Sequence, residues 1–297
     1  MVTLRQLHYL VTLADRLNFT RAAEACFVTQ STLSAGLKEL EDTLGARLVE
    51  RDRQNVLMTP LGSDIARRAR LILAAADDLM EVAAEAQAPM SGILRLGVIP
   101  TIAPFLLPVV LSSLRKTYPA LRLAIREDLT INLLARLEAG QLDMALIALP
   151  FDTGTLLVRH LFEDTLWIVG RKGEADLRAK QVDITPALTD RMLLLEEGHC
   201  LREHALYACG MGASKSAQGV EATSLLTLVQ MVESGFGVGL VPEMAVKSGL
   251  TKSPALVARP LARPSPARTI ALITRRSTSR LTDFATLATL IQATPPG

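Results

Sequence analysis

A chain of 297 residues with 49% hydrophobic and 21% charged side chains can bury two or three separate cores, which excludes a disordered protein. Its net charge of +2 is too small to betray a polyanionic partner, so any nucleic-acid contact must depend on where cations sit. Three cysteines, an odd number, argue against a secreted disulfide framework, and the longest apolar run, IAPFLLPVVL, carries Pro104 and Pro108 and is too short to cross a bilayer.

The opening segment, MVTLRQLHYLVTLADR, has Arg5 where an export signal would gather apolar residues. The expected compartment is the cytoplasm, where a disulfide is transient, redox-sensing or catalytic. LRQLHYLVTLADRLN places Leu4, Leu7, Leu10 (or Val11) and Ala14 at helical spacing. FTRAAEACFVTQSTLSAGLKELEDTLG then reads as a short helix that Thr20 can cap, a tight break at FVTQ, and a second helix reaching Leu44 and closed by Gly45. On the second helix Leu33, Leu37, Leu40 and Leu44 share one stripe. Ser31, Ala35 and Lys38 fall opposite, with Thr32 and Ser34 flanking. RLVERDRQNVLMTPLG alternates and turns like a small β-wing bearing Arg51 and Arg53. Acidic and basic side chains balance over residues 1–60, so periodicity alone leaves two readings open: a DNA-reading helix or an ordinary solvated face. Cys26, near this small core, is expected to serve packing.

Residues 61–88 form one long helix candidate, with Leu61, Ile65, Ala69, Ile72, Ala76, Leu79 and Ala83 recurring close to a heptad. Such a helix either packs on its own domain or pairs with a copy of itself through the alanine-rich seam. Pro89 and Gly92 end it. From Ile93 onward strands alternate with helices: ILRLGVIP, LRLAIRED, DMALIAL, TLWIVGRK, RMLLLEE and VGLVP are strand candidates, separated by helical patterns around 105–118, 131–139 and 224–233. RTIALITRR (268–276) is a late strand, and an amphipathic helix over 280–293 closes the chain. The alternation predicts a largely parallel α/β domain with Trp167 in its core.

EEGHCLREHALYACGMGA holds Cys200 and Cys209 with eight residues between them. In a helix that separation rises about 13.5 Å and faces the two residues in roughly opposite directions, whereas a disulfide needs Cα atoms about 4.4–6.8 Å apart. If the segment is helical, the two can join only by unfolding it. The pair is open to several readings: buried structural thiols, a zinc set with His199 and His204, a peroxidase centre, or a redox pair. Cys200 and His204 share a helix face, but Cys209 lies about 140° round from His204, which disfavours zinc.

FTRAAEACFVTQSTLSAGLKELEDTLGARLVER followed by TPLG resembles the winged helix-turn-helix of LysR-type transcriptional regulators, and the similarity covers nearly the whole chain. Within that family SGILRLGVIPTIAPFLLP, EEGHCLREHALYAC and RTIALITRR are similar to its peroxide-sensing members. The Gly-His-Cys element with a second cysteine at this spacing is more diagnostic than the helix-turn-helix.

The resemblance implies an all-α winged helix-turn-helix domain over residues 1–59 and a dimerising linker helix over 60–89. After these comes an α/β regulatory domain over 90–297, built of two Rossmann-like lobes of the periplasmic-binding-protein type. Lobe I would take about 90–163 and 269–297, and lobe II about 164–268. It implies a tetrameric activator, not an enzyme, bound to double-stranded promoter DNA and working with RNA polymerase. It implies no cofactor, metal or membrane. Gln30, Ser31, Thr32, Ser34 and Ala35 would face base edges, while Lys38, Arg51 and Arg53 would neutralise phosphates. Hydrogen peroxide, the signal, would be held by Thr101, Thr130, His199, Cys200 and Arg268. Cys200, ionised with help from its helix start, His199 and Arg202, would be oxidised. Cys209 would resolve it to a disulfide that refolds the segment, and a thiol reductant would reset it. The alternative within the family is a regulator gated by a small organic effector between the lobes, cradled by Thr101, Thr130 and the helix start at Thr223–Ser224.

Overall fold

The computed structural model describes residues 1–51, 56–85, 89–210 and 221–294, with the side chains of 51 and 81–85 left aside. The N-terminal part begins with α1 (Leu4–Arg16), which Thr3 and Gln6 close with reciprocal side-chain-to-backbone hydrogen bonds. α2 (Phe19–Ala25) is capped by Asn18, whose Oδ1 accepts from the Arg21 amide at 3.0 Å, and not by Thr20. Asn18 is extended and one residue before the helix, the position from which a short side chain reaches the third amide. The Thr20 hydroxyl instead donates to Gln30 Oε1 at 3.2 Å. α3 (Gln30–Leu44) starts at its cap Thr29 and stops at Gly45, which has a left-handed φ of 66°.

Leu10, Leu13, Leu33, Leu37, Leu40 and Leu48 meet as one core, with Cys26 half-buried against it. Each fully buried leucine contributes on the order of 1.5–3 kcal/mol. Leu44 does not join its stripe: at 40% exposed, it has reached the end of α3, beyond the last element that covers it. The wing pairs β1 (Val49–Arg51) antiparallel with β2 (Val56–Met58), Val49 opposite Met58. Of its two arginines, Arg51 ends β1 and Arg53 lies outside the described residues.

α4 (Pro60–Glu85) follows. Ala66 and Ala69 bury against the N-terminal core, whereas Ile72, Leu79 and Met80 stand 49%, 72% and 75% exposed. The glycine of TPLG is fixed by sterics, because a Cβ on Gly62 would sit 2.0 Å from the Leu48 carbonyl oxygen. Gly62→Ala is therefore expected to cost the N-terminal unit roughly 1–3 kcal/mol, visible as a lowered melting temperature; an unchanged melt would mean that strand and helix separate freely there.

The larger unit contains β3 (Gly92–Val98), α5 (Ala103–Thr117), β4 (Leu121–Glu127), α6 (Thr130–Glu138), β5 (Met144–Leu149) and β6 (Leu157–Arg171). It continues with α7 (Pro186–Thr189), β7 (Met192–Leu195), α8 (Cys200–Ala208), β8 (Glu221–Ala222), α9 (Leu225–Glu233) and β9 (Val238–Pro242). The last elements are α10 (Glu243–Lys247), β10 (Leu256–Pro260), β11 (Ala267–Thr274) and α11 (Leu281–Ala293). The strand order is β4-β3-β5-β11-β6-β9-β7-β8, with β10 on β6.

The sheet is mixed, which corrects the expectation of a largely parallel one. β4, β3 and β5 are parallel, as are β9, β7 and β8, but β11 runs antiparallel to β5 and β6, and β6 antiparallel to β9 and β10. The physical reason is connectivity. Each parallel cluster is wound with crossover helices, and the strands that carry the chain between two clusters must enter one while leaving the other. β6 does this over 15 residues, twice the length that its C-terminal half, TLWIVGRK, suggested, with Trp167 half-buried against the second cluster. The expected lobe limits at 163/164 and 268/269 both fall inside these shared strands.

Candidate functional site

α8 begins at a forced corner. Gly198 has φ of 94°, and a Cβ there would lie 2.8 Å from Leu129 Cδ1, so glycine alone lets this turn settle on the loop that precedes Thr130. His199 then occupies the extended cap position and Cys200 the first helical residue. Leu201, Ala205 and Leu206 anchor the helix in the core beside β7. Cys200 is thereby turned toward Thr130, at the start of α6, and Arg268, near the start of β11, both of which act on its sulfur.

Arg268 is fully buried and held at all three nitrogens. Its Nε donates to Asp164 Oδ2 at 3.0 Å, Nη1 to Thr101 Oγ1 at 2.8 Å, and Nη2 to the Thr101 carbonyl at 3.0 Å. Asp164 also accepts from the Met244 amide at 3.1 Å. Burial pushes the Asp164 carboxyl above its ordinary range, with Arg268 and the Met244 amide pulling the other way. The Thr130 hydroxyl is buried and makes no hydrogen bond of normal geometry, yet it favours the ionised form of the Cys200 thiol beside it. It gains an acceptor only when the sulfur ionises or an oxygen enters.

The thiol itself departs from expectation. Burial pushes the Cys200 pKa above its ordinary value, and Arg268, Thr130 and the amides of Leu201 and Cys200 offset this only in part. Removing a thiolate from water costs more than these partners return, so the resting sulfur carries its proton. Arg202 is not among its partners. That side chain turns away, donating from Nη1 to the Leu195 carbonyl and to Glu221 Oε1, both at 2.7 Å, and so ties the first turn of α8 to β7 and β8. His199 is buried and held below its ordinary pKa by desolvation, against the pull of Glu196 and a hydrogen bond to the Thr223 backbone.

Cys209 closes the same helix as its C-cap. It packs half-buried on the core, and burial pushes its thiol up to about 11. Both cysteines are free, and nine residues of helical backbone hold them about 13 Å apart. Among the described residues, no group of three or more His, Cys, Asp or Glu side chains is placed to hold a metal ion.

Thr101, Thr130, Cys200 and Arg268 thus converge, whereas His199, next to Cys200 in the chain, has Glu196 and the Thr223 backbone as its partners. Two further residues complete the site: Asp164, which orients Arg268, and His204, one turn after Cys200, which the sequence suggested only as a zinc ligand. The acidic pair Glu163-Asp164 at the head of the apolar run TLWIVG was the available signal for Asp164.

At the other end of the chain, Gln30, Ser31, Thr32, Ala35 and Lys38 are exposed on α3, and Ser34 is half-buried. Thr29 Oγ1 binds the hydroxyls of Ser31 and Thr32 at 2.9 and 2.8 Å. These short side chains are therefore ordered around the helix start.

Comparison with known proteins finds one family at both ends of the chain. Residues 4–63 match the bacterial regulatory helix-turn-helix protein, lysR family, and residues 87–295 match the LysR substrate binding domain. The chain is 47% identical over 284 residues to the HTH-type transcriptional regulator EstR of Acinetobacter baylyi, covering 95% of this chain and 93% of that protein. It is 38% identical over 299 residues to a probable hydrogen peroxide-inducible genes activator of Streptomyces viridosporus, covering 98% and 93%. Full-length OxyR from Pseudomonas aeruginosa superposes with a TM-score of 0.83 at 35% identity, covering 100% of this chain and 97% of that one.

Proposed function

Because the chain belongs to the LysR family of bacterial transcriptional regulators, we propose that it is a peroxide-sensing member in which oxidation of Cys200 rearranges α8 and changes how the protein acts on promoter DNA. The observation that carries this reading is the enclosure of one thiol by a buried guanidinium and a hydroxyl without a partner, with a second thiol held out of reach at the far end of the same helix. The peroxide named in the Streptomyces relative supplies the oxidant.

The chemistry runs in two steps. The Cys200 sulfur attacks the near oxygen of hydrogen peroxide and the O–O bond breaks. The thiol proton ends on the departing oxygen: Cys200–SH + H2O2 gives Cys200–SOH + H2O. Arg268 stabilises the negative charge that develops on sulfur and on the leaving oxygen, and Thr101 and Asp164 hold it in place for that task. The Cys209 thiol then attacks the sulfenic sulfur, forming the disulfide and releasing water. This second step cannot occur across intact α8. The helix must open, which breaks the bonds from Arg202 to Leu195 and Glu221 and withdraws Leu201, Ala205 and Leu206 from the core. The two covalent states therefore favour two packings of the segment, and the regulatory domain reports which one is present. A cytoplasmic thiol reductant returns it to the resting state.

At the DNA end, Gln30, Ser31, Thr32, Ser34 and Ala35 face base edges and Lys38 faces a phosphate. The exposed apolar side chains of α4 pair two copies of the chain, the dimers associate further, and the assembly engages RNA polymerase. Lys38→Ala is expected to weaken binding to every DNA sequence alike and to lower the slope of log affinity against log salt by about one. An unchanged slope in a salt titration would remove Lys38 from the phosphate contacts.

Mass spectrometry of the 196–213 peptide before and after one equivalent of peroxide tests the central claim. A loss of two hydrogens between Cys200 and Cys209 is expected, and an unmodified peptide under conditions that oxidise free thiols would refute it.

A further inference from the structure

His204 takes no part in the steps above, yet it is the least satisfied residue of α8. It is 8% exposed, and both of its ring nitrogens are buried without a hydrogen-bond partner. A neutral imidazole offers one donor and one acceptor. Native proteins seldom leave such groups unmade, and where they do, a water or a ligand completes them.

Its position narrows what that ligand is. His204 follows Cys200 by one helical turn, so the two side chains emerge on the same face about 5–6 Å apart at Cβ. Leu201 and Ala205, on the neighbouring face, go into the sheet core instead. The Arg268 guanidinium acts on both Cys200 and His204, and the Thr130 hydroxyl, buried and likewise without a partner, acts on the same sulfur. Thr130 and His204 therefore bring three buried polar atoms without a hydrogen bond of normal geometry to the side of α8 that carries Cys200. Burial, reinforced by the nearby guanidinium charge, lowers the His204 pKa to about 4, so at neutral pH one ring nitrogen keeps its lone pair and stays an acceptor.

We propose that His204 is a further substrate-binding residue of the sulfur site, its neutral ring accepting a hydrogen bond from hydrogen peroxide held between Cys200 and Thr130 and so aligning the O–O bond with the attacking sulfur. This deepens the peroxide-sensing reading and rests on it. Peroxide is the size of two oxygens and has two O–H donors, one for His204, while its lone pairs receive the Thr130 hydroxyl. The stoichiometry stays Cys200–SH + H2O2 to Cys200–SOH + H2O; His204 supplies orientation and is unchanged at the end. Of the groups around the sulfur, the Arg268 guanidinium can only donate and the Thr130 hydroxyl has one proton to give, whereas the neutral imidazole keeps one nitrogen lone pair that no protein group occupies.

The test uses the full-length chain carrying Cys209→Ser, so that oxidation stops at the sulfenic acid, which is trapped with dimedone and quantified by mass. The rate of alkylation by iodoacetamide is measured in parallel, because that reaction needs the thiolate but no alignment of an O–O bond. His204→Leu is expected to slow peroxide oxidation about tenfold while alkylation stays within about twofold. His204→Gln, which keeps an acceptor and a donor, is expected to return the peroxide rate to within about threefold. Peroxide oxidation of His204→Leu at the parental rate, or a matching fall in alkylation, would overturn the contact. If the parent with His204 intact does not react with peroxide, the peroxide-sensing reading itself fails and the contact falls with it.

Discussion

Replacing Cys200 by Ser is expected to abolish every peroxide-dependent change in the protein: no sulfenic acid, no disulfide, and one DNA footprint with and without oxidant. The effect is complete because a serine hydroxyl is not oxidised by peroxide, whereas a thiol is. The fold should survive. The exchange keeps the side-chain shape, and the hydroxyl gains Thr130 as a neighbour able to hydrogen-bond, so the small polarity change at a 7% exposed position is met by a partner. Reporter transcription in cells distinguishes the two readings within the family. Loss of the peroxide response in Cys200→Ser supports sulfur as the receptor. A response retained at full strength would move the signal to an organic effector between the lobes, and the thiol would then be a packing residue. Cys209→Ser should behave differently, forming the sulfenic acid at the normal rate and stopping there with α8 closed.

Arg268→Met is expected to damage the protein twice over. Arg268 and Asp164 pair at 3.0 Å with neither side chain more than 2% exposed, so removing the cation strands a buried carboxylate. Breaking such a pair from one side costs roughly 3–5 kcal/mol, to be read as an earlier urea transition of the regulatory domain. Adding Asp164→Asn should recover part of that loss, because an amide needs no counter-charge. The second effect is on the sulfur. Burial raises the Cys200 pKa and Arg268 is the largest force opposing it, so its loss moves the thiol further up. The sign is fixed: an acid with a raised pKa ionises only as pH rises, and the thiolate fraction at pH 7 falls tenfold for each unit of further increase. Iodoacetamide alkylation of Cys200 should therefore slow by about tenfold or more at pH 7, with its pH profile displaced to higher pH. If alkylation keeps its rate and its profile, Arg268 does not act on the sulfur.

Much of the molecule could be read from local pattern. The leucines of α3, the closing glycine at Gly45, the helix-strand alternation after Ile93 and the Gly-His-Cys start of α8 are set by side-chain period, by backbone sterics and by which residues tolerate a left-handed turn. These forces act within a few residues, so the sequence shows them. The missed cap, Thr20 in place of Asn18, was a choice between two capable caps two positions apart. The exposed Leu44 marks the limit of period as a guide, since a stripe states which residues could be covered and not where the cover ends.

What the sequence by itself determined, then, is most of the element order, the helix α3 with its exposed face of short polar side chains, and the conflict between a helical segment and two cysteines at its ends. Tertiary structure alone decided the rest. Arg268 finds Asp164 and Thr101 across 104 and 167 residues, and no local signal encodes pairings at that range. The direction of Arg202, away from the thiol and onto Leu195 and Glu221, follows from where β7 and β8 lie. The mixed sheet comes from two strands serving two clusters. The protonation of Cys200 reverses the local expectation for the same reason: a helix start and nearby cations are written in the sequence, but desolvation depends on everything that surrounds the sulfur, and only the folded chain brings that together.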